Sequence, residues 1–463
     1  MMTGAQYRES LGDGRAVHLE GRRVHDVTCE PAFSPAVQWL SEVYDQFYDP
    51  DPAAGGPYFV IPRTAAELRT LAERQRGWDI STIITSEALL MVLTAASRMR
   101  AEHPEYSERA MRYFEQSRRR DIRVAFAITD AKGDRSLAPK AQDDGDLYLR
   151  IVGKSDDGVT IRGAKLHVSN CAIVHDIVVM PTKRMKEGEE EWAFAGAVPV
   201  NAPGVTVIGT SHAPPPEDAE RYPWSTRYAI SEALVVFDDV FVPSERVFLD
   251  GQVDHSATWA HSLGVWERLG ALAHIVDSAD LLVGLAQLIA EANGLDRIPH
   301  IRQKIGDLVI YATLLRAGLG AAIDNAEFTA EGFATPSELF TNAAKYYAAA
   351  QFSTMVRNLH EIAGGAVITA PSLLDLRNPE IGSGIEKYLG TGIEGVSTQE
   401  RLRLFHAIRD LTADAYGGWR SITLLLGGGG LHAQRMVAAK HYDFAHAKQL
   451  ARDAAGITAS PTY

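Results

Sequence analysis

The sequence predicts an α+β protein: an N-terminal helical domain, a central β-barrel or sheet domain, and a C-terminal helical bundle. Three observations predict it. Apolar residues recur at helical spacing over residues 1–130, at period two over 131–254, and again in long helical stripes over 255–463. The domain boundaries are drawn at those changes of period. A chain of 463 residues has room for about two to three domains.

In the first zone, Val37, Leu40, Val43 and Phe47 give helical spacing from Pro35 to Phe47, and Leu89–Met99 repeats it. Arg98–Arg120 is rich in Arg and Glu and reads as a solvated helix. Its end, Arg118-Arg119-Arg120, fits a solvated terminus better than an anion site. In the second zone, Leu147–Val152 reads as a strand, Asp157-Gly158 as a turn and Val159–Val168 as the return strand. Ile177–Met180, Trp192–Val200, Val205–Ile208 and Ala233–Val242 complete the sheet. The acidic run Glu187–Glu191 fits an exposed hairpin tip rather than a metal site. In the third zone, Leu281, Leu282, Leu285, Leu288 and Ile289 form an apolar stripe that Asn293-Gly294 ends. Several such helices in succession argue for a bundle.

Composition limits the function. Hydrophobic residues are 46% and charged residues 23% of the chain, an ordinary globular balance that excludes a mainly disordered or fibrous protein. The net charge of −13 offers no basic face for nucleic acid. Cys29 and Cys171 are the two cysteines, too few for a disulfide framework or a four-thiolate cluster. A reduced, cytoplasmic setting is expected. The stretch Met1–Arg8 is polar and lacks the apolar segment of a signal peptide. No run approaches the roughly 18 to 20 apolar residues of a membrane span, so no membrane association is expected.

Three segments carry chemistry. Ile128–Pro139 contains Lys132, Gly133, Asp134 and Arg135, which offer backbone donors, close approach and cations to an anionic ligand. The plainer reading is a solvent-exposed turn held by an Asp134–Arg135 pair. In a strand, Lys165, His167 and Ser169 share one face. His167 is a candidate acid or base, since a histidine side chain can exchange protons near neutral pH, although a structural histidine is the competing reading. His175 reads as structural. Gly427, Gly428, Gly429 and Gly430 allow close backbone approach or mark a mobile linker. No G-x-G-x-x-G follows a strand, so no NAD(P)H domain is evident.

These segments do not stand alone. Ile128–Pro139, Gly163–Asn170, Tyr222–Tyr228 with Phe237–Pro243, Gly21–Val27 within Thr3–Val27, Ile362–Gly365, Gly417–Arg420 and His432–Arg435 occur in one order along the chain. Together they resemble the 4-hydroxyphenylacetate 3-hydroxylase / 4-hydroxybutyryl-CoA dehydratase flavoprotein family over essentially the whole chain. The order of zones is likewise that of acyl-CoA-dehydrogenase-like flavoproteins. The resemblance implies FAD, with Ala127, Ile128, Lys132, Gly133, Asp134 and Arg135 in the flavin-contact loop and Ser169 at the N5 edge. It places Gly427–Gly430 against FAD, from this or a neighbouring subunit, and implies a homotetramer. His167 becomes the candidate for proton transfer.

Two departures from the family narrow the expectation. The dehydratase branch needs a cluster held by three Cys and one His. Near those positions the first bundle helix has Trp266-Glu267-Arg268 and His274, so no iron–sulfur cluster and no other metal are expected. The hydroxylase branch holds a phenol with Arg, Tyr and His. Here the matching stretches read Thr85-Ser86-Glu87-Ala88-Leu89 and Phe126. Ser86, Leu89 and Phe126 are the candidate substrate contacts, in a pocket more apolar than a phenol site. The expected activity is that of the oxygenase component of a two-component monooxygenase. It would use FADH2 from a separate flavin reductase on a small organic substrate. The alternative is a cluster-free FAD-dependent dehydratase, isomerase or desaturase of an acyl thioester. A third reading is a scaffold that has lost its flavin.

Overall fold

A computed structural model of the chain describes residues 1–51, 54–211, 218–228 and 230–457. Residues 458–463, at the end of the expected bundle, lie outside the described residues. The N-terminal helices are Gly4–Ser10, Ser34–Phe47, Ala65–Gln75, Ile80–Met99 and Pro104–Arg120. The single helix expected over Arg98–Arg120 is thus two pieces. Pro104 occupies the start of the second, where its missing N–H costs nothing, and Asp121 at φ 52° ends it. The Ile80–Met99 helix is buried on nearly every side, because its sequence is apolar all round rather than on one stripe.

The strands are β1 (Ala16–Leu19), β2 (Arg22–Val24), β3 (Val124–Ala127), β4 (Thr129–Asp130), β5 (Arg150–Ser155), β6 (Gly158–Leu166), β7 (Asp176–Val179), β8 (Phe194–Pro199), β9 (Val205–Ser211), β10 (Ser231–Pro243) and β11 (Val247–Asp250). One sheet runs β2-β1-β9-β10-β6-β4, with β5 also paired to β6; the other runs β11-β8-β7-β3. These are open sheets, not the closed barrel that was one of the two expectations. The β3 edge is covered by a helix instead of a further strand: the Thr85 hydroxyl accepts from the Val124 amide at 3.0 Å. The strand expected from Leu147 begins at Arg150, after a 3-10 turn at Gly145–Leu147. Within the expected acidic hairpin tip, Glu187 and Glu190 are exposed but Glu189 is buried. Strands from the first 130 residues enter both sheets, and β1 pairs parallel to β9, Ala16 opposite Thr206. Side chains from both sheets fill a common core, including Val17, Val207 and Val235 from one and Ile177 and Val198 from the other.

The bundle is built on Val253–Ala292, Pro299–Asp324 and Glu338–Ala363, followed by shorter helices including Thr398–Thr412, Ala415–Leu426, Leu431–His441 and Phe444–Ala454. The first ends at Asn293, as its Asn-Gly stop predicts. Contrary to the expectation from composition, Ile80–Met99, Val253–Ala292 and Pro299–Asp324 are each long and apolar enough to cross a membrane. Of the most apolar window in each, 89%, 56% and 28% respectively is buried inside the protein.

Candidate functional site

Two of the three segments singled out in the sequence are neighbours. β4 pairs antiparallel with the end of β6, Thr129 opposite Leu166 and Asp130 opposite Lys165. Lys165 is buried and holds the junction. Its Nζ donates to the Ile128 carbonyl at 3.0 Å and the Met180 carbonyl at 2.8 Å, and it pairs with Asp130 at 2.7 Å. Burial pushes its ammonium below the ordinary lysine value, and Asp130 opposes that. A third segment joins through Asn170, whose Nδ2 donates to Ser81 Oγ at 2.9 Å at the start of the Ile80–Met99 helix.

The backbone is strained where these segments meet. Lys132 (φ 73°), His167 (φ 60°) and Asn170 (φ 51°) are left-handed without being glycine. Such conformations collect at functional sites because surrounding structure must impose them. The same feature ends β6 at Leu166, so the alternation expected to put Lys165, His167 and Ser169 on one face stops before His167. Lys165 points into the core, whereas His167 is exposed.

The loop after β4 is set by its own hydrogen bonds. The Lys132 amide donates to the Leu147 carbonyl at 2.9 Å, and Gln142 Nε2 donates to the Asp134 carbonyl at 2.7 Å. Asp134 Oδ1 accepts from the Ser136 amide and hydroxyl, which holds its carboxyl below the ordinary range. The expected Asp134–Arg135 pair is therefore replaced by an Asp134–Ser136 turn. Gly133 (φ 50°) sits within this turn. Among the described residues, neither Lys132 nor Arg135 has a salt bridge closer than the 4 Å limit of direct pairing. Partial burial, Arg135 and Lys183 together push Lys132 down, while Asp130 opposes them. Three like charges kept together in this way suit an anionic ligand. The carbonyls of Ala127 and Ile128 are already taken, by the Met180 amide at 3.1 Å and by Lys165.

On the opposite side, the Ser169 hydroxyl donates to both oxygens of Glu232, at 2.9 and 3.1 Å. The indole of Trp419, on the Ala415–Leu426 helix, donates to Glu232 Oε1 at 3.1 Å. Burial pushes the Glu232 carboxyl above the ordinary range, against Trp419, Ser169 and His167. Neither Glu232 nor Trp419 was singled out from sequence. The available signal was one acid, beside Ser231, at the head of the apolar run Ala233–Phe237.

The candidate substrate contacts sit on the Ile80–Met99 helix and on β3, which the Thr85–Val124 hydrogen bond joins. Leu89 is buried, and Phe126, half-buried on β3, packs against the same core. Ser86 is fully buried and its hydroxyl finds no partner among the described residues. Farther along the bundle, Gly427–Gly430 links two helices. Gly428 and Gly429 are left-handed, at φ 71° and 85°. The Gly428 amide donates to Glu267 at 2.7 Å, Arg268 Nε donates to the Gly428 carbonyl at 2.8 Å, and Gln434 donates to the Gly429 carbonyl at 2.7 Å. The loop is thus pinned to the Val253–Ala292 helix. It starts about 12 Å along its helix from Trp419, at 1.5 Å per residue. Beside it, burial and the Glu267 carboxylate push buried Glu87 well above the ordinary carboxyl range. Burial lowers Lys345 to about 8 and His274 to about 4. Cys29 is exposed and Cys171 is buried, its thiol pushed up to about 12.

An FAD fits this arrangement on the chemistry of its donors: a basic loop with no salt-bridge partner among the described residues, and a polar edge at Ser169. Helical lobe, paired open sheets and long bundle define the class of fold. Comparison with known proteins gives the family. The 4-hydroxyphenylacetate 3-hydroxylase N-terminal profile matches residues 3–249 and the C-terminal profile matches 256–456. The chain belongs to the 4-hydroxyphenylacetate 3-hydroxylase family. It is 27% identical to the 4-hydroxybutyryl-CoA dehydratase/vinylacetyl-CoA-Delta-isomerase of Clostridium aminobutyricum, covering 99% of this chain and 100% of that one. It is also 27% identical to the 4-hydroxyphenylacetate 3-monooxygenase oxygenase component of Thermus thermophilus, covering 90% and 89%. The solved 4-hydroxybutyryl-CoA dehydratase from N. maritimus superposes with a TM-score of 0.89 at 27% identity, over 100% of this chain and 96% of that one. The oxygenase component of 4-hydroxyphenylacetate 3-monooxygenase, solved with FAD and 4-hydroxyphenylacetate, has the same fold (TM-score 0.87, 24% identity, 98% of each chain).

Proposed function

We propose that this chain is the oxygenase component of a two-component, FADH2-dependent monooxygenase acting on a small, not necessarily phenolic, organic substrate. A separate reductase supplies the reduced flavin. One observation carries the reading: the basic loop at Lys132 and Arg135 is fastened by Lys165 to the strand that leads to Ser169. Lys132 and Arg135 would hold the anionic part of FAD, with Gly133 and Asp134 shaping their turn, and Ser169 would face the N5 edge. Bound FAD supplies the two-electron chemistry that activates dioxygen. Leu89 and Phe126 shield the reacting region from water, Ser86 offers a hydroxyl to the substrate, and His167 is the group placed to exchange a proton with solvent.

The second reading is a cluster-free dehydratase or isomerase of an acyl thioester. The full-length match to the dehydratase favours it. Purified chain, FAD, a flavin reductase and NADH, offered phenols and acyl thioesters, decide between them. Product that incorporates oxygen from labelled O2 supports the monooxygenase; turnover under argon supports the second reading. If neither class is turned over and no flavin is retained, both fail.

Further copies of the chain would cover the apolar residues exposed near the C-terminus: Ile422, Leu426, Met436, Phe444 and Leu450. That supports the homotetramer the family resemblance implies. An exposed, unpaired Cys29 fits a reducing cytoplasm.

A further inference from the structure

We propose that Glu232 makes Ser169 a hydrogen-bond acceptor toward the flavin, so that the site selects reduced FAD over oxidised FAD. This rests on the flavin-site reading above and names a residue which that reading does not use. The argument begins with one proton. A serine hydroxyl has a single O–H and two lone pairs. In Ser169 that proton points at Glu232, 2.9 Å from one carboxylate oxygen and 3.1 Å from the other. Burial opposes the charge on Glu232, but the Ser169 and Trp419 donors and His167 favour it, and in that ionised form the carboxylate can only accept, which sets the direction of the bond. The indole N–H of Trp419, which can only donate, holds the same carboxylate at 3.1 Å and keeps it facing Ser169. What Ser169 has left for a flavin is a lone pair.

Reduced flavin carries an N5–H, a donor; oxidised flavin carries a lone pair at N5. A Ser169 oxygen fixed as acceptor pairs with the first and opposes the second. Leaving a buried acceptor unpaired costs about tenfold in affinity or more. The charge of Glu232 acts the other way, since a carboxylate disfavours the anionic reduced ring. The two effects therefore predict opposite signs when Glu232 is neutralised.

The full-length chain is titrated anaerobically with FADH2 and, separately, with FAD, and the midpoint potential of the bound flavin is measured. The wild type favours FADH2 at least about tenfold, which raises the potential by about 30 mV for each factor of ten in a two-electron couple. In Glu232→Gln the amide can donate to Ser169, the hydroxyl proton turns toward N5, and the preference falls about tenfold. Ser169→Ala loses the preference as well. Adding Glu232→Gln to Ser169→Ala then changes nothing further, because the effect runs through the hydroxyl. A preference unchanged or increased in Glu232→Gln overturns the inference while leaving the flavin site standing. A wild type that binds neither form of FAD overturns both.

Discussion

Lys165 Nζ lies 2.7 Å from the carboxylate of Asp130, and both side chains are buried. The pair joins β6 to β4 at the point where the basic loop leaves the sheet. Asp130 also accepts from the Leu149 amide at 3.0 Å. Lys165→Met leaves that carboxylate buried without its cation, and removing one partner of such a pair costs about 3–5 kcal/mol. A lower urea midpoint and loss of FAD retention are expected together. Lys165→Met with Asp130→Asn recovers most of the stability without the flavin, because the Ile128 and Met180 carbonyls stay unheld.

The basic loop gives a second outcome. Lys132→Met and Arg135→Met each weaken FAD binding about tenfold, the scale of a charge-assisted hydrogen bond to an anion that is partly open to water. The loss is largest at low salt and shrinks as ionic strength rises, because the exposed charges are screened within about 10 Å at 0.1 M. Equilibrium dialysis at two salt concentrations measures it. A loss independent of salt would move the anionic part of the ligand elsewhere.

His175 gives a pH dependence. The Arg123 amide donates to its Nδ1 at 2.9 Å, so the ring proton lies on Nε2, which donates to Ser10 Oγ at 2.9 Å. Burial, then Arg15 and Arg123, lower it to about 3. The unfolded chain takes up a proton near pH 6.5 that the folded chain refuses until about pH 3. The contribution is complete above about pH 6.5 and is lost as pH falls toward 3, by up to about 1.4 kcal/mol per pH unit. Melting temperature against pH should fall steeply in that window. In His175→Gln the slope flattens, with lower stability at pH 8 from the altered hydrogen bonds.

The C-terminal face gives a fourth outcome. Leu426→Glu and Met436→Glu place charge on exposed apolar positions, so the folded monomer tolerates them, whereas a subunit interface does not. Light scattering should report a smaller assembly for the double variant, with circular dichroism unchanged. An assembly of unaltered mass would place the interface elsewhere.

Much of this was legible locally. The strands Val205–Ser211 and Ser231–Pro243 alternate strongly enough to be read directly, Asp176–Val179 and Phe194–Pro199 show as short, continuously buried runs, and the Asn293-Gly294 stop is a backbone rule. The join between β1 and β9 was not legible, because Ala16 finds Thr206 only through tertiary packing. Within the site, Lys132, Arg135 and Ser169 stood out as types, but their partners did not. Lys165 looked like a face-sharing neighbour of Ser169 until the left-handed turn at His167 separated them. Glu232 went unread, one residue before the expected strand Ala233–Val242, since nothing local says that Trp419, far along the chain, will hold it.

The parallel pairing of β1 with β9 bears on how the chain is made. During synthesis, Ala16–Leu19 emerges long before Val205–Ser211 exists to receive it. β1 can pair with β2 at once, but its other edge must wait with backbone groups bonded to water or to a chaperone, and the larger sheet is completed only after β10 has been translated. Shortened nascent chains that stop before Val205 should therefore be trapped by holdases and cut by proteases near Ala16, whereas chains released beyond Pro243 should resist both.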